Sequence, residues 1–107
     1  MDSLKSTVQT DIQNIKVLVY SKSYCPYASA TKKLLKDGNV QATVIELDQV
    51  PNGDQLQAAL QQISGQRTVP NIYINGKHIG GNSDIQALHS KGELKTMLQA
   101  AGVSCSY

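Results

Sequence analysis

Val17-Leu18-Val19-Tyr20-Ser21-Lys22-Ser23-Tyr24-Cys25-Pro26-Tyr27-Ala28-Ser29-Ala30-Thr31-Lys32-Lys33-Leu34-Leu35-Lys36-Asp37-Gly38 is the stretch from which the rest of the chain is read. Its first four residues form an unbroken apolar run, which suits a strand buried on both faces. Leu34-Leu35 followed by Lys36-Asp37-Gly38 ends like a helix with a glycine C-cap. Between them, proline is favoured at the first helical position, where its missing N–H costs nothing, so Cys25 is expected at or beside the N-cap. Unpaired N–H groups and the positive end of the helix dipole there favour thiolate over thiol, and Lys22 adds a mobile positive charge. Cys25 therefore reads as a nucleophilic or redox thiol in preference to a small core hydrophobe. Dithiol oxidoreductases carry a second cysteine three residues on, and this chain has Ala28 there.

Working outward, Leu4, Val8 and Ile12 recur at i, i+4, i+8 and predict an amphipathic N-terminal helix. Ala42 to Leu47 reads as a second strand. With the first strand and the helix after Cys25 it forms a parallel βαβ unit with a right-handed crossover. Pro51 to Asp54 opens a helix whose Leu56, Ala59, Leu60 and Ile63 share one face, and Gly65 closes it. Asn75-Gly76 between Ile72-Tyr73-Ile74 and Lys77-His78-Ile79 predicts a hairpin. Asn82-Ser83-Asp84 then heads a short helix, and Leu94, Met97, Leu98 and Ala101 stripe a last one. The expectation is one α/β domain over residues 1–107, with a mixed four-stranded sheet and helices on both faces.

Composition narrows the function. Ten Lys and Arg against eight Asp and Glu give a net charge of +2, too weak and scattered for a nucleic-acid face. The one basic group, Lys32-Lys33-Lys36, reads as a solvated helix end opposing the negative pole of the dipole. With no Trp or Phe, the core must be aliphatic plus some of the five Tyr. No run approaches the roughly 18 apolar residues of a membrane span, and the chain opens without a secretory pattern. Two cysteines eighty positions apart make no disulfide framework, and with His78 and His89 they show no metal-ligand spacing. A soluble, cytoplasmic protein in a reducing compartment is expected, with no metal, no membrane and no nucleic-acid partner.

Cys25-Pro26-Tyr27 after a strand, Thr68-Val69-Pro70 before the hairpin and Gly80-Gly81-Asn82-Ser83-Asp84 after it together resemble the glutaredoxins. The stretch Gly65 to Asp84, GQRTVPNIYINGKHIGGNSD, is especially similar to fungal, algal and plant members, and the likeness runs from about Lys16 to Leu98. It implies a thioredoxin fold and glutathione as co-substrate. In the family, the tripeptide backbone pairs with the residue before a cis-proline, here Val69 before Pro70, in a loop fixed by Thr68. The γ-glutamyl carboxylate would lie at the helix N-terminus of Asn82 and Ser83, beside Gly81, and Asp84 would take the ammonium. Lys22 and Gln66 would meet the glycyl carboxylate while Tyr27 covers the thiol. Ala28 departs from the dithiol pattern, so the resemblance implies a monothiol route through Cys25 acting on glutathionylated proteins, in a monomer. Two other readings stand beside it. One is an iron–sulfur carrier sharing a cluster between two chains, against which Pro26 speaks; the other is a redox-silent interaction module. The tail Val103 to Tyr107 lies outside the resemblance.

Overall fold

Alternation along Val17–Ser21 (β1) sends Val17 and Val19 to one face of a sheet and Leu18 and Tyr20 to the other, and all four are buried. The strand needs cover on both sides, and the rest of the chain supplies it. The structure, a computed structural model, describes residues 2–107, so Met1 of the expected N-terminal helix lies outside it. In order the elements are α1 (Asp2–Asn14), β1, α2 (Pro26–Asp37), β2 (Thr43–Glu46), α3 (Gly53–Ser64), β3 (Asn71–Ile74), β4 (Lys77–Gly80), α4 (Asn82–Ser90) and α5 (Glu93–Ala100).

The sheet runs β2-β1-β3-β4, with β1 parallel to β2, antiparallel to β3, and β3 antiparallel to β4. Asn75 and Gly76 both take left-handed backbone angles, as a two-residue primed turn requires. On one face, Val17, Val19, Ile72 and Ile74 pack with Leu35 of α2, Ile85 of α4, and Leu94 and Leu98 of α5. On the other, Leu18, Tyr20 and Tyr73 pack with Val8 and Ile12 of α1 and Leu60 of α3. Each fully buried aliphatic side chain contributes roughly 1.5–3 kcal/mol. Two tyrosines stand in for the missing Phe and Trp: Tyr20 and Tyr73 meet edge to face, centroids 6.2 Å apart. This is the thioredoxin-fold arrangement, a mixed four-stranded sheet with helices on both sides.

Gly38 is the C-cap of α2 that the sequence predicts, though not by way of the usual left-handed conformation. Val40 N–H donates to Leu35 O and Asn39 N–H to Lys36 O, a Schellman motif, but its left-handed residue is Asn39 and not Gly38. Gly38 has ordinary helical-side angles and is needed for space instead. A Cβ there would run into the ring of Tyr107, which the tail lays across it. Lys32 also departs from a solvated helix end. The crossover brings Glu46 alongside α2, and Lys32 Nζ lies 2.8 Å from its Oε2, half-buried. Lys33 stays exposed, as expected, and pairs with Asp37 one turn on.

Candidate active site

The βαβ crossover ends β1 and β2 on the same edge of the sheet, and the turn from β1 into α2 stands on that edge. Cys25 is the N-cap of α2 in extended conformation, followed by Pro26 at the first helical position. Its own N–H closes a turn onto Lys22 O at 3.0 Å, and its carbonyl accepts from Ser29 N–H at 2.9 Å. No side chain caps this end, so the first-turn N–H groups of Tyr27 and Ala28 have no intrahelical acceptor. The thiol is half-buried, and its sequence neighbours Tyr24 (71% exposed) and Tyr27 (69%) stand in solvent. Lys22 makes no ion pair among the described residues.

Asp48, just beyond β2, fixes that turn. Its carboxylate accepts from Ser23 N–H at 2.9 Å and from the Ser23 hydroxyl. Those two bonds, with Lys22 adding a smaller attraction, hold its carboxyl below the usual carboxylate range. The sequence reading missed Asp48. The register explains the contact: parallel pairing sets Ser21 beside Glu46, so residues two further along each strand are neighbours too.

Facing Cys25 is the loop before β3. Val69–Pro70 is a cis peptide, and Cys25 Sγ lies 3.7 Å from Val69 O. Val69 makes no backbone–backbone hydrogen bond among the described residues, so its peptide edge is open to an extended ligand. The loop is braced by Gln66, whose Nε2 donates to both Thr68 O and Pro70 O at 2.9 Å. Thr68 thus enters through its carbonyl, and both amide hydrogens of Gln66 are engaged.

The third part is the start of α4. Gly81 is its N-cap, placed so that a Cβ would sit 3.7 Å from Pro70 O, and the helix therefore begins against the proline loop. Asp84 Oδ2 accepts from Gly81 N–H at 2.8 Å. Gly80 must be glycine: its φ is +119°, and a side chain would strike the Asp84 carboxylate. Asn82 Oδ1 accepts from the buried Thr31 hydroxyl at 3.0 Å and from Gln86 at 3.2 Å, which ties α4 to α2. Ser83 and Asp84 are exposed. The structure therefore gathers Cys25, Val69, Pro70, Gly81 and Asp84 around one edge.

Ala28 lies wholly buried under the first turn of α2. The other cysteine, Cys105, packs in the tail at the far end of the same helix, where Ser106 N–H donates to Gly38 O. Twelve residues of helix span about 18 Å, so Cys105 cannot reach the Cys25 sulfur in this fold. Among the described residues no group of acidic, histidine and cysteine side chains could hold a metal ion. No helix there is long and apolar enough to cross a membrane.

A family model described as glutaredoxin matches residues 17–79, more than half the chain. Monothiol glutaredoxin-S12, chloroplastic, of Arabidopsis thaliana is 50% identical over 100 residues, covering 92% of this chain and 56% of the relative. Monothiol glutaredoxin-S10 of Oryza sativa subsp. japonica is 49% identical over 96 residues, 89% of this chain and 58% of the relative. The chain thus spans little more than half the length of these two curated relatives. Among solved structures, a buckwheat glutaredoxin–glutathione complex superposes with a TM-score of 0.90 at 42% identity, over 94% of this chain and 92% of that one. Matched by that family model from β1 into β4 and by relatives along most of its length, the chain belongs to the glutaredoxin family.

Proposed function

We propose that this chain is a glutathione-dependent thiol–disulfide oxidoreductase that works through the single thiol of Cys25. Cys25 thiolate attacks the glutathione sulfur of a mixed disulfide; a Cys25–glutathione disulfide forms and the freed thiolate of the substrate leaves. A second glutathione thiolate then attacks the glutathione sulfur of that adduct. Oxidised glutathione departs and Cys25 returns to its starting state. Ala28 and the distance to Cys105 leave external glutathione as the resolving thiol, which is why glutathionylated proteins are the proposed substrates; a cytoplasmic monomer is the proposed form.

The observation that carries this reading is the placement of Cys25 Sγ 3.7 Å from the carbonyl of Val69, whose peptide edge is otherwise unengaged. A thiol-bearing peptide paired with Val69 lays its sulfur beside Cys25. Its γ-glutamyl carboxylate then lies at the N-terminus of α4, over Asn82 and Ser83, with its ammonium on Asp84. Lys22 is the cation for the glycyl carboxylate and Tyr27 flanks the thiol. Gln66 contributes by holding Val69, and meets the carboxylate only by giving up one of its loop bonds. Mass spectrometry after incubation with oxidised glutathione tests the reading. One glutathione adduct, located at Cys25, is expected; no adduct, or an adduct at Cys105 alone, would sink it.

A further inference from the structure

His78 plays no part in the chemistry above, yet it stands behind the loop that does. The β3–β4 register sets it opposite Tyr73, ring on ring with centroids 5.1 Å apart, and the pairing points Nε2 at two amides. It lies 3.2 Å from Gln66 Oε1 and 3.0 Å from Asn71 Oδ1. The orientation of both amides follows from their other partners. Gln66 Nε2 faces the carbonyls of Thr68 and Pro70, which only accept, so its oxygen must face His78. Asn71 Nδ2 faces Gln66 O and Ser64 Oγ, both at a longer 3.5 Å, so its oxygen faces His78 as well. Asn71 is almost wholly buried and has no solvent to turn to. An Nε2 between two acceptors carries a proton in the neutral and the cationic ring alike.

From this we infer that His78 is a positioning residue for glutathione: its Nε2–H holds the Gln66 amide, which braces the carbonyls on either side of Val69 and so sets the peptide edge the ligand pairs with. The inference rests on the proposed pairing of glutathione with Val69. Without that donor, the oxygens of Gln66 and Asn71 face each other unbridged, and relief comes by rotation of the more exposed Gln66. The loop carbonyls then lose their shared donor, while Cys25 keeps its N-cap position on α2. The loss falls on binding.

Two variants separate the donor from the ring. His78→Phe keeps the stack on Tyr73 and removes the donor; His78→Gln places an amide N–H where Nε2 was. With a small glutathione mixed disulfide as substrate, His78→Phe is expected to raise KM about tenfold, the loss of roughly one or two hydrogen bonds. Its kcat should stay within about twofold of the parent, and His78→Gln should recover most of the loss. A fall in kcat at unchanged KM, or equal impairment of both variants, overturns the inference. A second readout needs no glutathione. The side-chain amide protons of Gln66 should exchange slowly in the parent and in His78→Gln, and rapidly in His78→Phe. Protection that survives in His78→Phe overturns the inference whatever the kinetics. A parent without activity on the mixed disulfide sinks the proposed function instead, and leaves the amide measurement to decide whether the brace exists.

Discussion

At the N-terminal end of α2 the first-turn N–H groups have no capping side chain, two tyrosine rings stand in solvent, and the cation nearest in sequence to the thiol, Lys22, is unpaired among the described residues. At the C-terminal end of the same helix the groups are taken. Leu34 O accepts from Gly38 N–H and from the Tyr107 hydroxyl at 2.6 Å, Gly38 O accepts from Ser106 N–H, and Asn39 Nδ2 donates to Ser106 Oγ. The Tyr107 ring also lies against His89 of α4, centroids 4.6 Å apart. Burial, then Cys105 and Asp37 nearby, raises the pKa of that phenol and keeps its hydroxyl a donor. One helix thus has an end open to a ligand and an end fastened to the fold. Unmet hydrogen-bonding capacity marks the first as the place for chemistry, and its absence marks the second as an anchor.

The largest expected effect tests the open end. Cys25→Ser should lower mixed-disulfide activity by about a thousandfold or more, since a hydroxyl is a far weaker nucleophile, while the half-buried site lets the fold stand. Residual activity near that of the parent would move the chemistry away from α2. The fastened end should answer in the opposite way. Tyr107→Ala removes a ring and a hydrogen bond, and should cost about 2 kcal/mol in denaturant unfolding. Its kcat/KM per folded molecule should not change. If activity fell in step with stability, the two ends would not be the separate functions described above.

How much of this could be read in the sequence depended on range. The strand before Cys25, the N-cap and the Asn75–Gly76 turn are local devices, written in residues that sit side by side, and all were legible. The strand order β2-β1-β3-β4 was not, because nothing local says which edge of β1 the hairpin joins. The site divides along the same line. Cys25 and Val69–Pro70 announce themselves by residue type, whereas Asp48 and His78 act through partners 25 and 12 residues away, and look in isolation like any surface acid or strand histidine. Gly38 as the cap of α2 was legible too, but the ring that needs its space was not, because it arrives from the far end of the chain.

A smaller effect sharpens the open end. Asp48 holds the turn before Cys25 through Ser23, and its pKa is depressed by those bonds. A carboxyl whose folded pKa lies below its unfolded value contributes above the ordinary carboxylate pKa, near ~3.9, and the contribution fades only as pH falls through the folded value. The Ser23 amide resonance should therefore titrate with a midpoint below that of a free aspartate. Asp48→Asn should abolish the titration and lower kcat/KM by about threefold through a looser turn. A midpoint at or above the ordinary value would mean that Ser23 does not bind the ionised carboxylate.

The most specific test asks for a change of sign. Gly38 has φ −86° and ψ 6°, a conformation any L-residue adopts, so its backbone does not need glycine. Only the Tyr107 ring forbids a Cβ, and a ring can swing aside. In the parent, Gly38→Ala should push Tyr107 off its seat, break the bond to Leu34 O, and cost about 1–2 kcal/mol. In the Tyr107→Ala background no ring is left to displace. There the same substitution gains from the reduced freedom of the unfolded chain, and should stabilise by about 0.4–1 kcal/mol. A double-mutant cycle on denaturation midpoints reads the difference as a coupling between positions 38 and 107. If Gly38→Ala destabilises equally in both backgrounds, the glycine answers to something other than the ring, and the tail does not fasten the end of α2 in the way its hydrogen bonds indicate.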